Sequence, residues 1–410
     1  MTPEIAPKPG GEQAGLQHAL QYVALAESLE PELWGPNLVR ALDSLEQEHD
    51  NLRTALCWCV NHGEAAIALR LSASLWRFWQ LRGHLAEGLN WLDEALALPK
   101  AVPTELRARG LEAAGNLARS LGRYEKATVF YAGSLQARLK LGDKRGIALA
   151  LTNLGVVAQL GGNDDASVAH HDASFELFRE LGDPAGVGLS LITLGTMAQL
   201  QGRTASARAL YEESLALFRA VSDTRGIAAS LNNLANTVSE AGEFAAARSY
   251  YEEALNYFRE LGDAGEEAAC LKNLALMDLN AGAPNDACRL CQQSLELFDE
   301  LADGRGVAAC LDILARIAHA KHEDELAARI LGAAEGLRDV LLSGLPATGT
   351  SLTSEPSLAI REVLGEEHFA ECLVEGRMMS LADVISSALS ALQGARADDL
   401  EGGTHAQVPG

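Results

Sequence analysis

A period of 40 residues governs most of this chain. One set of glycines recurs at that spacing: Gly122, Gly162, Gly202, Gly242 and Gly282. A set of aspartates recurs at the same spacing: Asp143, Asp183, Asp223, Asp263 and Asp303. Between these markers, apolar and small residues are spaced by three and four, which indicates helices. A self-similar unit of this length predicts one repeat array, in which each unit packs on its neighbours.

Each unit is predicted to form two antiparallel helices, A and B. In the unit that opens with LGDKRGIALALTNLG, helix A spans residues 144–160 and helix B spans residues 164–181. Gly142 follows the last apolar residue of the preceding helix B and can end it in the left-handed conformation. Asp143 is then the cap of the next helix A, because its carboxylate accepts amide hydrogens. A phosphate loop is disfavoured, since it follows a strand and carries a Gly-Lys dipeptide that this sequence lacks.

The repeat resembles the tetratricopeptide (TPR) repeat. A small residue, an alanine twelve positions later and an aromatic residue four positions after that occur in the TPR order, as in Gly115, Ala127 and Tyr131. The resemblance implies an all-α fold: an α-α superhelix, or TPR solenoid, of antiparallel helix pairs with helical N- and C-terminal caps. It also implies that the A helices line the concave face. TPR units usually have about 34 residues, so the helices of these units are longer.

A second resemblance concerns the ends of the chain. The phrases EHDNLRTAL, WRFWQLRGHLAEGLNWL, AARILGAAEGLR and LGEEHFAECLVEGRMMSLADVISSAL resemble the C-terminal sensor region of STAND-type ATPases and LuxR-type or SARP-type bacterial transcriptional regulators. The resemblance covers about residues 25–390. In that family a P-loop ATPase precedes the helical region, so the chain is interpreted as a sensor arm of a larger protein or as a free-standing relative. Neither ATP hydrolysis nor DNA binding is carried over.

Six parts are predicted along the chain. They are a disordered tail (1–11), an N-terminal helical segment (12–63), a TPR solenoid of about seven helix pairs (64–340), a linker loop (341–357), a C-terminal helical cap (358–391) and a disordered tail (392–410). Within the second part, residues 44–63 are predicted to form one long amphipathic helix that ends at Gly63.

The charge of the chain limits its partners. It has 56 acidic and 33 basic residues, a net charge of −23, which disfavours direct binding of nucleic acid or of an anionic membrane surface. No apolar run reaches the roughly 18 residues that a membrane span needs. The seven cysteines lie mostly in apolar helical contexts and are interpreted as reduced core residues, so a cytoplasmic location is expected.

An asparagine column on the A helices is the first candidate for a binding site. The matching positions are Asn153, Asn233 and Asn273, with Asn232 and Asn236 close by. Asparagine is a poor residue inside a helix, so three in one column need a reason. The TPR resemblance implies that these amides hold the main chain of an extended ligand. The alternative is an amide ladder that ties adjacent repeats together without a ligand.

An arginine column near the start of the A helices is the second candidate. It comprises Arg145, Arg225 and Arg305, and a cation is unfavourable at that end of a helix. Either these arginines pair locally with Asp143, Asp223 and Asp303, or they contact a carboxylate at the edge of the groove.

Catalytic and metal sites are disfavoured. Cys288 and Cys291 have the spacing of a metal or redox pair, but both fall inside a predicted helix. His171 occupies the aromatic core column and is interpreted as a core histidine with satisfied hydrogen bonds. No nucleophile–base arrangement recurs, so no catalytic residue, metal or cofactor is expected.

The sequence therefore predicts a non-enzymatic TPR scaffold that binds a protein or peptide in its groove, within a bacterial signalling or transcription-regulatory system. The alternative is an inducer-sensing arm that binds a small molecule. A hydrolase is disfavoured by the missing catalytic arrangement.

Overall fold

The computed structural model describes residues 11–342 and 355–393. In these ranges the regular structure consists of twenty α-helices and one 3-10 helix, without a strand. The chain divides into two compact units, Met1–Asp263 and Ala264–Gly410. The all-α class predicted from the sequence is confirmed. Most of the predicted tails and linker, at residues 1–10, 343–354 and 394–410, lies outside the described residues.

The first unit opens with helices that precede the repeats. They are α1 (Gly11–Leu29), a 3-10 helix (Glu30–Trp34), α2 (Leu38–Gln47) and α3 (His49–Asn61). The single helix predicted for 44–63 is wrong, because Glu48 separates α2 from α3. The Glu48 carboxylate accepts a hydrogen bond from the Tyr22 hydroxyl of α1 at 2.7 Å. The predicted end at Gly63 is confirmed by its φ of +68°.

Helix pairs follow in both units. The first unit contains α4 (Ala65–Leu81), α5 (Leu85–Ala97), α6 (Thr104–Ser120), α7 (Tyr124–Leu141), α8 (Lys144–Leu160), α9 (Asp164–Leu181), α10 (Pro184–Leu200), α11 (Thr204–Ala220), α12 (Thr224–Glu240) and α13 (Phe244–Leu261). The second unit contains α14 (Ala264–Asn280), α15 (Pro284–Glu300), α16 (Gly304–Ala320), α17 (Asp324–Leu342), α18 (Glu355–Leu364), α19 (Glu366–Met378) and α20 (Leu381–Gln393). The predicted spans of helices A and B, 144–160 and 164–181, match α8 and α9.

The junction between two repeats is built as predicted. Gly142 ends α7 with φ +67° and ψ +20°, the left-handed conformation. Asp143 Oδ1 accepts the amide hydrogen of Gly146 at 2.9 Å and so caps α8. The amide of Gly146, together with the Arg138 guanidinium, holds the pKa of Asp143 below its usual value. The same cap bond recurs at three further junctions, from Gly186 to Asp183, from Gly226 to Asp223 and from Gly306 to Asp303.

Two polar ties recur inside the helix pairs. Helix-B serines donate to helix-A carbonyls: Ser134 to Ala108, Ser174 to Ala148, Ser214 to Gly188 and Ser294 to Ala268. Helix-B tyrosines bond polar side chains of helix A: Tyr131 with Asn116, Tyr211 with Thr196 and Tyr251 with Asn236. The tyrosine ring packs on a small residue of helix A: a Cβ on Gly115 would lie 2.6 Å from Tyr131, and Ala235 occupies the equivalent position of the α12–α13 pair. The small residues and the aromatic residues that recur at the 40-residue period thus pack against each other.

His171 departs from this pattern. It occupies the tyrosine position of the α8–α9 pair and is 1% exposed, but Val156 stands where the other pairs have Asn116, Thr196 or Asn236. Neither ring nitrogen of His171 has a hydrogen-bond partner among the described residues. The prediction of a core histidine is confirmed, and the prediction that its hydrogen bonds are satisfied is wrong. Burial lowers the pKa of His171 to about 4.

Replacing His171 with phenylalanine should therefore stabilise the protein. Phenylalanine fits, since tyrosine occupies the equivalent slots, and the variant H171F removes an unsatisfied buried group worth about 1–3 kcal/mol. In the wild type, the imidazole of residue 171 is protonated at a higher pH in the unfolded chain than in the folded protein. The free energy of unfolding therefore falls as the pH drops below 6.5, and the decrease is complete below about 4. In urea unfolding, the free energy of unfolding of H171F should exceed that of the wild type, and this difference should be about 2 kcal/mol larger at pH 5 than at pH 7.

The neighbouring His170 supplies the control for this experiment. It is only half-buried, and its charge is a smaller cause of the lowered pKa of His171, so the variant His170→Gln should leave the stability at pH 7 unchanged and should reduce the acid sensitivity only slightly. Equal acid sensitivity of the wild type and H171F would contradict the assignment of the effect to His171.

Candidate functional site

The asparagine column lies on consecutive A helices of the first unit. Asn153 on α8 and Asn233 on α12 are half-buried, and Thr193 occupies the same position on α10 between them. The side-chain amides of Asn153 and Asn233 form no hydrogen bond with any residue in 11–342 or 355–393. Thr193 donates its hydroxyl hydrogen to Leu189 O of its own helix at 3.0 Å. The ladder alternative is therefore wrong for this part of the column, because no amide bonds the next repeat.

The other predicted asparagines have different surroundings. Asn236 accepts the hydroxyl hydrogen of Tyr251 at 2.5 Å, so its amide oxygen joins α12 to α13. Asn232 is half-buried beside Asn233 on α12. Asn273 is half-buried on α14 of the second unit. Asn153 and Asn233 are thus the column members whose amides are not used within the described structure.

The arginine column links successive repeats. Arg145 donates to Asp183 Oδ2 at 3.0 Å, and Arg225 donates to Asp263 Oδ2 at 2.9 Å. Arg145 and Arg225, each at the start of an A helix, thus bind the capping aspartate of the next repeat. Local pairing of Arg145 with Asp143 and of Arg225 with Asp223 is wrong. The next cap is the nearer acceptor, and the Asp143 carboxylate is held by Arg138 at 2.6 Å.

Arg225 has a second contact, far away in the sequence. It donates to the carbonyl oxygen of Trp34 at 2.6 Å, and its guanidinium lies 5.9 Å from the Trp34 ring. The same ring lies 4.2 Å from the guanidinium of Arg77 on α4. A Cβ on Gly262, at the end of α13, would lie 2.1 Å from Pro36 Cα. The segment Trp34–Pro36 therefore connects the first A helix of the unit with its last helix pair.

This connecting segment is a structural feature that the sequence analysis missed. Glu30 extends the contact, since its carboxylate accepts hydrogen bonds from Ser74 on α4 and Arg109 on α6. The available signal was the phrase EPELWGP, in which a tryptophan stands among turn residues. Its partner could not be read from the sequence, because Arg225 lies 191 residues further along the chain.

A separate cleft of about 560 Å³ lies at α5–α7. Arg107 and Lys140 line it together with the apolar side chains of Leu111 and Phe130. Its size falls in the range of small-molecule sites, which is roughly 300–1,000 Å³. The carboxylate of Asp93 also lines the cleft, so the two cations exceed the acidic groups by one, which favours an anionic ligand.

Other candidates from the sequence carry no site. Cys288 and Cys291 are both buried in the core around α15. Among the described residues, the cluster of potential metal ligands lies elsewhere, at Glu46, His49 and His84. No helix in the described ranges combines the length and apolar character required to cross a bilayer.

Comparison with known proteins gives a family for the central repeats. Residues 146–220, 187–260 and 226–287 match the tetratricopeptide repeat model. A Mycobacterium tuberculosis protein named as an HTH-type transcriptional regulator is 35% identical over 147 residues. That match covers 34% of this chain and 17% of the relative's length.

Two solved structures share the fold. One is a Rap protein complexed with competence and sporulation factor, at 12% identity and a TM-score of 0.53, covering 92% of this chain and 98% of that one. The other is aspartyl phosphate phosphatase F of Bacillus subtilis, at 10% identity and a TM-score of 0.53, covering 86% and 99%.

The variants R225A and R145A should separate the two arginine contacts. Both remove an ion pair to the next cap, which is worth little at an exposed site. R225A also removes the hydrogen bond to Trp34 O, at a cost of about 1 kcal/mol, so chymotrypsin should cleave after Trp34 roughly fivefold faster. R145A should be cleaved at the wild-type rate. Equal cleavage of R225A and wild type would show that Arg225 does not hold the segment.

Proposed function

Because residues 146–287 are tetratricopeptide repeats, we propose that this chain is a non-enzymatic scaffold that binds an extended protein segment along its A helices. The observation that carries the proposal is the pair of unused amides on α8 and α12. Both residues are half-buried, and neither amide is among the fully buried polar groups, so each stays open to solvent and free to bond a ligand. Asn153 and Asn233 each offer two donors and an acceptor, the complement of a peptide main chain.

The spacing of the two amides suits such a ligand. Adjacent packed helices are roughly 8–10 Å apart, so two repeats separate Asn153 from Asn233 by roughly 16–20 Å. An extended chain advances about 3.3 Å per residue, so about five or six ligand residues span the pair. Thr193, between them, bonds its own helix.

The charge of the chain selects among ligands. A net charge of −23 gives a cationic segment a favourable long-range attraction and disfavours nucleic acid. Salt should therefore slow association with the partner, because the field is screened beyond roughly 8 Å at physiological ionic strength.

The regulatory role rests on the relatives. The named function of the mycobacterial relative is transcriptional regulation, and the matched part is 17% of its length. The Rap protein of similar fold was crystallised with competence and sporulation factor, and at 12% identity this likeness concerns the fold alone. We place this chain as a sensor or adaptor of a bacterial regulatory system in the cytoplasm, binding a protein or peptide.

The double variant N153A/N233A tests the proposal. Co-purification of the partner from the native host should be lost. The melting temperature should hold or rise, because neither amide is hydrogen-bonded and alanine is the better helix former by several tenths of a kcal/mol. Asn273 belongs to the second unit and is replaced separately.

The variant N116A is the matched control. Its amide accepts the Tyr131 hydroxyl hydrogen at 2.7 Å, so N116A should lower the stability by about 1 kcal/mol and still capture the partner. Capture of the partner by N153A/N233A at the wild-type level would refute the binding role of these amides.

A second candidate function is favoured by the cleft at α5–α7. In that case an anionic small molecule is the inducer, bound by Arg107 and Lys140. A thermal shift assay distinguishes this function from the first. An anionic metabolite should raise the melting temperature of the wild type and of N153A/N233A, and it should not raise that of R107A/K140A.

A further inference from the structure

Two histidines and a glutamate converge where α2, α3 and the α4–α5 turn meet. His84 Nε2 lies 3.2 Å from each carboxylate oxygen of Glu46. His49 Nδ1 lies 3.7 Å from Glu46 Oε1. The two imidazole rings are 4.3 Å apart between centroids. One ligand atom from each of the three residues lies within 4.8 Å of the others.

His49 is the unusual member of this cluster. It is 6% exposed and packs edge-on against Phe78 at 5.3 Å. Its Nε2 makes no hydrogen bond of good geometry but lies 3.3 Å from Glu87 Oε1, while its Nδ1 faces Glu46. The packing therefore holds the ring with one nitrogen toward the cluster and the other toward Glu87.

We propose that Glu46, His49 and His84 bind a divalent transition-metal ion, of which Zn²⁺ fits the donor set best. Two imidazole nitrogens and one carboxylate oxygen are a frequent zinc set with a fourth position for water. Tetrahedral bonds of about 2.0–2.1 Å separate neighbouring ligand atoms by about 3.4 Å. The separations of 3.2 and 3.7 Å within the cluster match that geometry with only small side-chain shifts.

Glu87 supplies the outer support that such a site needs. Its Oε1 lies 3.3 Å from His49 Nε2, the nitrogen that faces away from the cluster. A histidine that ligates a metal usually directs its second ring nitrogen to a carboxylate, which fixes the ring and its tautomer. Arg53 holds Glu87 in place through two hydrogen bonds of 2.7 Å. Glu87 is therefore a positioning residue.

A bound ion would join α2 and α3 to the turn between α4 and α5.

The experiment uses the full untagged chain after treatment with EDTA. Addition of ZnCl₂ should raise its melting temperature by mass action on the folded state. CoCl₂ should produce visible d–d absorption without the intense near-ultraviolet band of a thiolate ligand, which separates this cluster from Cys288 and Cys291.

Three variants assign the ion to the cluster. H84A and E46Q alter partly exposed side chains, so both should fold and should bind Zn²⁺ at least tenfold more weakly. E87Q should weaken binding by roughly 10- to 100-fold through the orientation of His49. H62A replaces an exposed histidine at the end of α3 and should bind like the wild type. Absence of a zinc-dependent shift in the wild type, or an equal shift in H84A and E46Q, would overturn the proposal.

Discussion

The capping aspartate at each repeat junction is the interaction on which the rest of the structure depends. Asp183 binds the amide of Gly186 in its own helix and the guanidinium of Arg145 in the preceding unit. One carboxylate thus caps an A helix and connects two adjacent repeats. At two junctions the left-handed residue before the aspartate is Ser222 or Ala302 instead of glycine, with φ of 56° and 54°. The chain accepts this unfavourable conformation there, which shows how strongly the cap and the packing determine the turn.

The regular junctions determine which side chains face each other inside a pair. Because the helices from α6 to α17 begin at corresponding positions of the 40-residue period, the tyrosines of helix B meet small residues of helix A, and their hydroxyls reach Asn116, Thr196 or Asn236. Polar groups that fit this scheme are satisfied inside the protein. Two buried imidazoles depart from it, His171 in the core and His49 beside Glu46. The half-buried amides of Asn153 and Asn233 on the A helices have no partner inside the described structure either. The last pair lies where a ligand can reach it, and this pair carries the proposed function.

Local chemistry explains what could be predicted from the sequence. The bounds of α8 and α9 follow from Gly142, Asp143 and Gly162, since helix ends depend on neighbouring residues. The Glu48 carboxylate, at the break between α2 and α3, bonds Tyr22 of another helix, and His171 lacks a partner because Val156 stands across the pair, so neither feature follows from its own segment. The candidate column was found from the period alone, but its separation into the bonded Asn236 and the unused Asn233 required the side-chain contacts. The contact of Trp34 with Arg225 and the cluster of Glu46 with His84 join residues distant in sequence, and no periodic pattern marks them.

The central claim is that a partner lies along the A helices at Asn153 and Asn233. The most direct measurement places a photoreactive amino acid at position 153, at position 233 or at the exposed Glu213 on helix α11, and identifies cross-linked peptides by mass spectrometry after irradiation in the native host. The account predicts that positions 153 and 233 cross-link neighbouring stretches of one partner, separated by about five or six residues, and that position 213 does not. Cross-links from position 213 with none from positions 153 and 233 would contradict it.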